Sequence, residues 1–302
     1  MTAEKFFTSK WGILIAAGGA TFLWGSAFPV LKLSYELLDI HPHEIGEQIL
    51  FAGYRFFLAA LLVLLFLYIT KRKLDFQKGQ LQTIASIGFF QTFLQYILFY
   101  IGLSLSTGIQ GSIIAGTTSF FQIILAHFMY KDDLINWRKV FGLLIGFIGV
   151  IFVNITQGAL TLNIGIGEIL LLLAMVSAAF GNILAKNGTT KMDVANLTSY
   201  QMLVGAIGLL LIGIFSAGFF PFTFTIQAFM MLLYLALLSA VGFILWNNIM
   251  KYNKVGKVSV FLFLIPVFGV FLSSLLLQEP IHLFVLAGLV FVATGIIIVN
   301  RK

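Results

Sequence analysis

Ten runs of about twenty mostly apolar residues divide nearly the whole chain, and no other feature narrows its possible folds so far. They lie at 12–35, 48–69, 80–103, 108–130, 138–154, 165–186, 197–217, 226–249, 257–277 and 281–300. A segment in lipid must satisfy its own backbone polar groups, so each run reads as a spanning helix. The expected class is therefore an all-α integral membrane protein. Composition agrees: 60% of the residues are apolar, 10% are charged, and the mean hydropathy is +1.04. A soluble domain carries about 25% charged residues, so this chain lacks the polar surface to face water all round. The first run follows Lys5 and Lys10 and exceeds a signal-peptide core in length, so it reads as an uncleaved helix.

The basic residues orient the bundle. Of the 18 Lys and Arg, all but Lys32 and Arg55 (18 − 2 = 16) fall on one side if the N-terminus is cytoplasmic. Glu36, Asp39, Glu44, Glu47 and Glu279 gather on the other side. This asymmetry places both termini in the cytoplasm, in a multi-pass protein of the plasma membrane. The net charge of +7 is accounted for by these connectors and by anionic lipid, so nucleic acid is not an expected partner. The chain has no Cys, which excludes disulfides, thiolate metal sites and cysteine nucleophiles.

The two halves match weakly at a spacing near 147 residues. Tyr54-Arg55 falls on Tyr200-Gln201, Ser112 on Ser259, Ser119 on Pro266 and Asp132 on Glu279. After a one-residue slip, Gly142, Gly149 and Asn154 fall on Gly288, Gly295 and Asn300. Five helices per copy is an odd number, so the second copy enters the membrane from the opposite side. The expected units are residues 1–154 and 155–302, two inverted repeats with a substrate site at their interface near the midplane.

Four features then resemble a known family. They are Leu23-Trp24-Gly25-Ser26-Ala27-Phe28-Pro29 in the first helix and Tyr54-Arg55-Phe56 in the second. In each half a small-residue helix also ends near an acid (Asp132, Glu279), followed by a Gly-rich helix. The segment from Pro266-Val267-Phe268 to Gln278-Glu279-Pro280 is the closer of the two copies; in the first, Ser119 takes the Pro position. Over roughly residues 10–300 the chain resembles the drug/metabolite transporter superfamily, and within it the EamA-type ten-helix exporters. The resemblance implies a basket of helices around a central cavity, alternating access, and export of metabolites such as amino acids.

Polar residues inside the hydrocarbon mark the candidate site. A central Arg costs about 2.5–3.5 kcal/mol on insertion scales, so Arg55 needs a reason to be there. It either faces the cavity or a gate, where it can meet a carboxylate, or it snorkels outward or braces neighbouring carbonyls. Gln91 and Gln95 stand at i, i+4 with Tyr96 and Tyr100 on an overlapping face, a stripe suited either to a cavity wall or to joining helices. Thr118 and Gln122 repeat the spacing, as do Asn182 and Lys186, the last expected to reach inner headgroups. Trp24, Phe28 and Trp246 offer aromatic faces for a substrate or for packing, and Asn247 adjoins Trp246. Pro29 and Pro266 are candidate hinges. Gly142-x-x-x-Gly146 permits close helix approach, within the chain or in a homodimer, so a monomer or weak homodimer is expected.

No nucleotide-binding GxxxxGK[ST] pattern is present, so gradients would drive transport. Candidates for proton coupling are few: Glu168 and His127. Residues 12–35 contain no acidic side chain, whereas the four-helix relatives that expel cationic drugs rely on a Glu in the first helix. A neutral or zwitterionic metabolite therefore fits better. The expectation is an exporter of small metabolites, amino acids first, with no enzymatic activity, cofactor or metal. Uptake or exchange of nucleobases, sugars or quaternary amines is the alternative transporter reading. An intramembrane enzyme built on His41-Pro42-His43-Glu44, or a receptor without turnover, stands further off.

Overall fold

The computed structural model describes residues 2–41, 43–76, 78–105, 114–154, 165–278 and 283–301, all of whose regular elements are helical. The main elements are α1 (Lys10–Leu38), α2 (Ile45–Ile69), α3 (Leu81–Leu103), α4 (Thr118–Met129) and α5 (Trp137–Asn154). They continue with α6 (Ile166–Gly188), α7 (Val194–Ala217), α8 (Ile226–Tyr252), α9 (Leu264–Leu277) and α10 (Leu283–Asn300). Seven predicted positions carry helices long and apolar enough to cross a bilayer. The other three, α4, α5 and α10, are shorter apolar helices at the remaining predicted positions. The predicted start of the fourth helix at 108–113, with Ser112, lies outside the described residues, as do Glu279 and 155–164.

Local chemistry sets the ends. Ser9, Asp193 and Thr225 accept from the first-turn amides of α1, α7 and α8, capping donors that lipid would leave unpaired. Asp39 closes α1 in the left-handed region, at φ 56°, a conformation its short side chain tolerates. Pro29 sits inside α1, which runs unbroken past it.

Two helices depart from the simple picture. In α3 the run Gly88–Leu94 is a π-helix between α-helical ends. The predicted ninth helix is broken: Val255–Val258 is α, Ser259–Phe263 is 3-10, and α9 starts only at Leu264. Pro266 therefore falls just beyond the 3-10 stretch, in a helix that runs on through it from Val255 to Leu276.

α2 packs on α7 and α5 on α10; α1 lies against α8 and α9, while α6 lies against α3 and α4. Exchanging each helix with the one five places along maps these pairings onto each other. Glycine makes the α5–α10 crossing possible: a Cβ at Gly149 would stand 2.7 Å from the Gly288 carbonyl oxygen. Gly142 meets Gly295 on the same seam, so the small-residue face of α5 is used within the chain. Large apolar side chains such as Leu14, Phe22, Leu65 and Phe215 remain exposed, as a lipid-facing surface requires.

Candidate functional site

Between the helices lies a cavity of about 720 Å³. α1 lines it with Trp24, Phe28 and Tyr35, α2 with Arg55, α3 with Gln95, Tyr96, Phe99 and Tyr100. Thr118, Met175, Asn182 and Phe243 complete it from α4, α6 and α8. It extends to Asp39 and His41, at the face carrying the α1–α2 connection. Among the described residues, α5, α7 and α10 contribute none to the lining.

Arg55 is the charged group in the depth of this space, with only 2% of its surface exposed. Its Nε donates to Ser239 Oγ at 2.8 Å, and Ser239 in turn donates to the Leu235 carbonyl at 2.8 Å. The guanidinium carbon lies 5.1 Å from the Phe56 ring centre, a cation–π contact. Among the described residues no carboxylate pairs with it and its two terminal nitrogens make no hydrogen bond. An unpaired buried charge costs several kcal/mol, and this Arg is held by the fold at Nε and left open on its cavity side.

Nearby, the hydroxyls of Tyr35 and Tyr100 are buried without a hydrogen-bond partner among the described residues. They lie within interaction range of each other, and Arg55 is in electrostatic range of Tyr35 and Tyr96. No hydrogen bond of sound geometry closes between the two phenols, whose oxygens are enclosed beside the cavity. The indole N–H of Trp24 is likewise unpaired. Its ring rests on Phe243 at 5.4 Å and on Trp246 at 5.7 Å. Gly242 leaves room for it, since a Cβ there would stand 2.9 Å from the indole nitrogen.

Seven of the eleven residues singled out from the sequence line the cavity: Trp24, Phe28, Arg55, Gln95, Tyr96, Thr118 and Asn182. The other four sit behind the wall. Gln91 donates to Asn182 Oδ1 at 2.6 Å, Gln122 accepts from Ser259 at 2.7 Å, and Asn247 donates to Thr198 at 2.9 Å. Trp246 is fully buried beneath Trp24. The expected Gln91–Gln95 stripe is broken because the π-helix between them has about 4.4 residues per turn and splays i, i+4 neighbours. Tyr35, Phe99 and Ser239 escaped the sequence reading. Tyr35 is signalled by the spacing Trp24, Phe28, Leu31, Tyr35, one continuous helical face.

The coupling candidates are occupied structurally. Glu168 accepts from the Gly165 amide at 2.7 Å and closes the first turn of α6. His127 Nδ1 accepts from the Ile135 amide at 3.2 Å. At the mouth, the His41 and His43 rings are parallel with centres 5.6 Å apart. Among the described residues no group of three His, Cys, Asp or Glu could hold a metal.

The face opposite the mouth is sealed by polar contacts. Asp133, 3% exposed, takes Lys139 at 2.5 Å and the Gly256 amide at 2.8 Å. This fastens the α4–α5 connection to the broken start of the ninth helix. Lys186, expected to reach headgroups, instead donates to the backbone carbonyls of Met250 and Asn253. Tyr130 donates to Asn187 at 2.6 Å, and burial pushes its phenol up to about 12, so it stays a donor throughout the physiological range. Deeper in, Ser119 donates to the Ser259 carbonyl at 2.8 Å, tying α4 to the 3-10 segment.

A helical membrane protein with a polar-tipped cavity, open on one face and sealed on the other, has the build of a solute transporter. The EamA-like transporter family model matches residues 10–155 and again 165–301, and the chain belongs to that family. It is 25% identical to YoaV, an uncharacterized transporter of Bacillus subtilis (strain 168), over 94% of this chain and 95% of that one. A probable amino-acid metabolite efflux pump of Escherichia coli (strain K12) is 26% identical over 91% and 90% of the two chains. A solved crystal structure shares the fold, with a TM-score of 0.77 at 13% identity over 96% of each chain.

Proposed function

We propose that this chain is a secondary transporter of the plasma membrane that exports small metabolites, amino acids first among them, by alternating access. The observation that carries the reading is the one-sided cavity, open towards Asp39 and His41 and stapled shut through Asp133, Lys139 and Gly256 on the opposite face. That is one end state of an alternating cycle; releasing the staple leads to the other. The name of the Escherichia coli relative supports the amino-acid substrate. The full topology proposed is ten spans with both termini cytoplasmic, in two inverted five-helix units, residues 1–154 and 155–302. The paired packing of α2 with α7 and α5 with α10 supports this division. On this orientation the observed cavity faces outward.

Reconstitution tests the reading. Purified protein in liposomes preloaded with an unlabelled amino acid should accumulate the labelled one by counterflow. Folded protein that shows no counterflow with any amino acid sinks the amino-acid assignment. The absence of Cys makes access measurable as well, through a single Ala178→Cys on the cavity wall. An impermeant thiol reagent should label it from outside, and Asp133→Asn should raise labelling from inside at least severalfold. Labelling from inside only, in the parent protein, would reverse the assigned orientation.

A further inference from the structure

We infer that the cavity recognises its substrate by a carboxylate, seated on the terminal nitrogens of Arg55 beside the hydroxyls of Tyr35 and Tyr100, and that an ammonium on the substrate is not required. The inference rests on the transporter reading above and names the ligand group that the same site fixes. Four observations support it. The Nε of Arg55 is spent on Ser239, which orients the guanidinium and leaves its two terminal nitrogens as a planar fork. Such a fork matches a carboxylate end-on, with two parallel charge-assisted bonds. Among the described residues no anion of the protein's own answers that charge, so the site is complete only with an anionic guest.

The phenols supply the next observation. Tyr100 is 2% exposed, and its hydroxyl and that of Tyr35 are buried and unpartnered at this point of the cavity. Both can donate to carboxylate oxygens, whereas a cation would meet the like charge of Arg55. The acidic residues of the lining, Glu36 and Asp39, are exposed and stand at the mouth, away from the buried wall. Deep in the site an ammonium therefore has no charged partner. Finally, Trp24, Phe28, Tyr96, Phe99 and Phe243 form an apolar aromatic wall in a space of about 720 Å³, ample for a ring or long aliphatic body. The substrate class is an amphipathic monocarboxylate, of which apolar amino acids are one subset.

The test follows ligand binding through the intrinsic tryptophan fluorescence of the purified full-length protein, to which Trp24 contributes from the cavity wall, with three probes of one shape. Phenylalanine carries both groups, 3-phenylpropionate only the carboxylate, and phenethylamine only the ammonium. The first two should bind within about tenfold of each other, and phenethylamine at least tenfold more weakly than either. Arg55→Gln should weaken both carboxylates at least tenfold without changing the response to phenethylamine. Tyr100→Phe, which keeps the ring and its packing, should weaken them severalfold and serves should Arg55→Gln fail to fold. Phenethylamine binding as tightly as phenylalanine overturns the inference, as does a folded Arg55→Gln protein with unchanged affinity for 3-phenylpropionate. Saturation by chloride or phosphate with no carboxylate effect overturns it too, by making Arg55 an inorganic-anion site. Counterflow of amines or neutral solutes without a carboxylate response would leave the transporter standing and remove this assignment alone.

Discussion

Two polar bridges cross the centre of the bundle, and they differ in one respect. Arg55 on α2 reaches Ser239 on α8 at 2.8 Å; Gln201 on α7 accepts from Thr92 on α3, also at 2.8 Å. The helices of the second bridge are those of the first displaced by five places, 2 to 7 and 8 to 3. Gln201 and Thr92 are fully buried in a sealed contact, while Arg55 faces the cavity. A neutral amide thus suffices to tie such helices together. The charge of Arg55 exceeds what the bridge requires, and the guanidinium faces the cavity.

Three substitutions probe that difference. Gln201→Arg should have the largest effect, because it places a second guanidinium where no cavity, water or anion can answer it. The loss should be roughly 3 kcal/mol or more, read as a lower melting temperature in detergent or a failure to recover folded protein. A Gln201→Arg protein as stable as the parent would mean that the second bridge tolerates charge and that the contrast is empty. Arg55→Gln should lower stability little, by about 1 kcal/mol, since the amide can still reach Ser239. Equal losses of stability at both positions would return Arg55 to a bracing role. Thr92→Val should have the smallest effect on the site: it should cost about 1–2 kcal/mol of stability for an unpaired buried amide oxygen, with carboxylate binding unchanged. A binding change as large as that of Arg55→Gln would show that the sealed bridge governs the cavity as well.

Much of the fold was legible because lipid makes a simple demand: about 20 apolar residues per crossing, with Lys and Arg in the connectors. Trp24, Phe28 and Arg55 were legible for a related reason, as costly or large groups at spacings that put them on one helix side. The remaining difficulty is physical. A helix in lipid is apolar towards both its neighbours and the bilayer, so periodicity does not separate the cavity face from the packed face. Gln122, Trp246 and Asn247 were named for their chemistry and lie behind the wall. Tyr35 passed unselected because a Tyr near a helix end also suits the headgroup belt, while Tyr100 entered only as the companion of Tyr96 on the stripe of the third helix. Lys186 deceived in the same way: its reach would suit headgroups, but two carbonyls of the α8 end claim it.

The π-helical run in α3 has a consequence for how this gene can drift. A substitution among Gly88–Leu94 alters one side chain, but an in-frame loss of one codon there lets the run relax to an ordinary α-helix. The wide turn carries one residue more than an α-helical turn over nearly the same rotation, so the residues after it keep their facing and shift only slightly along the helix axis. Gln95, Tyr96, Phe99 and Tyr100 would still turn to the cavity together. A one-residue gap placed across residues 88–94 therefore keeps these four residues in register, whereas the same gap placed elsewhere in α3 would not.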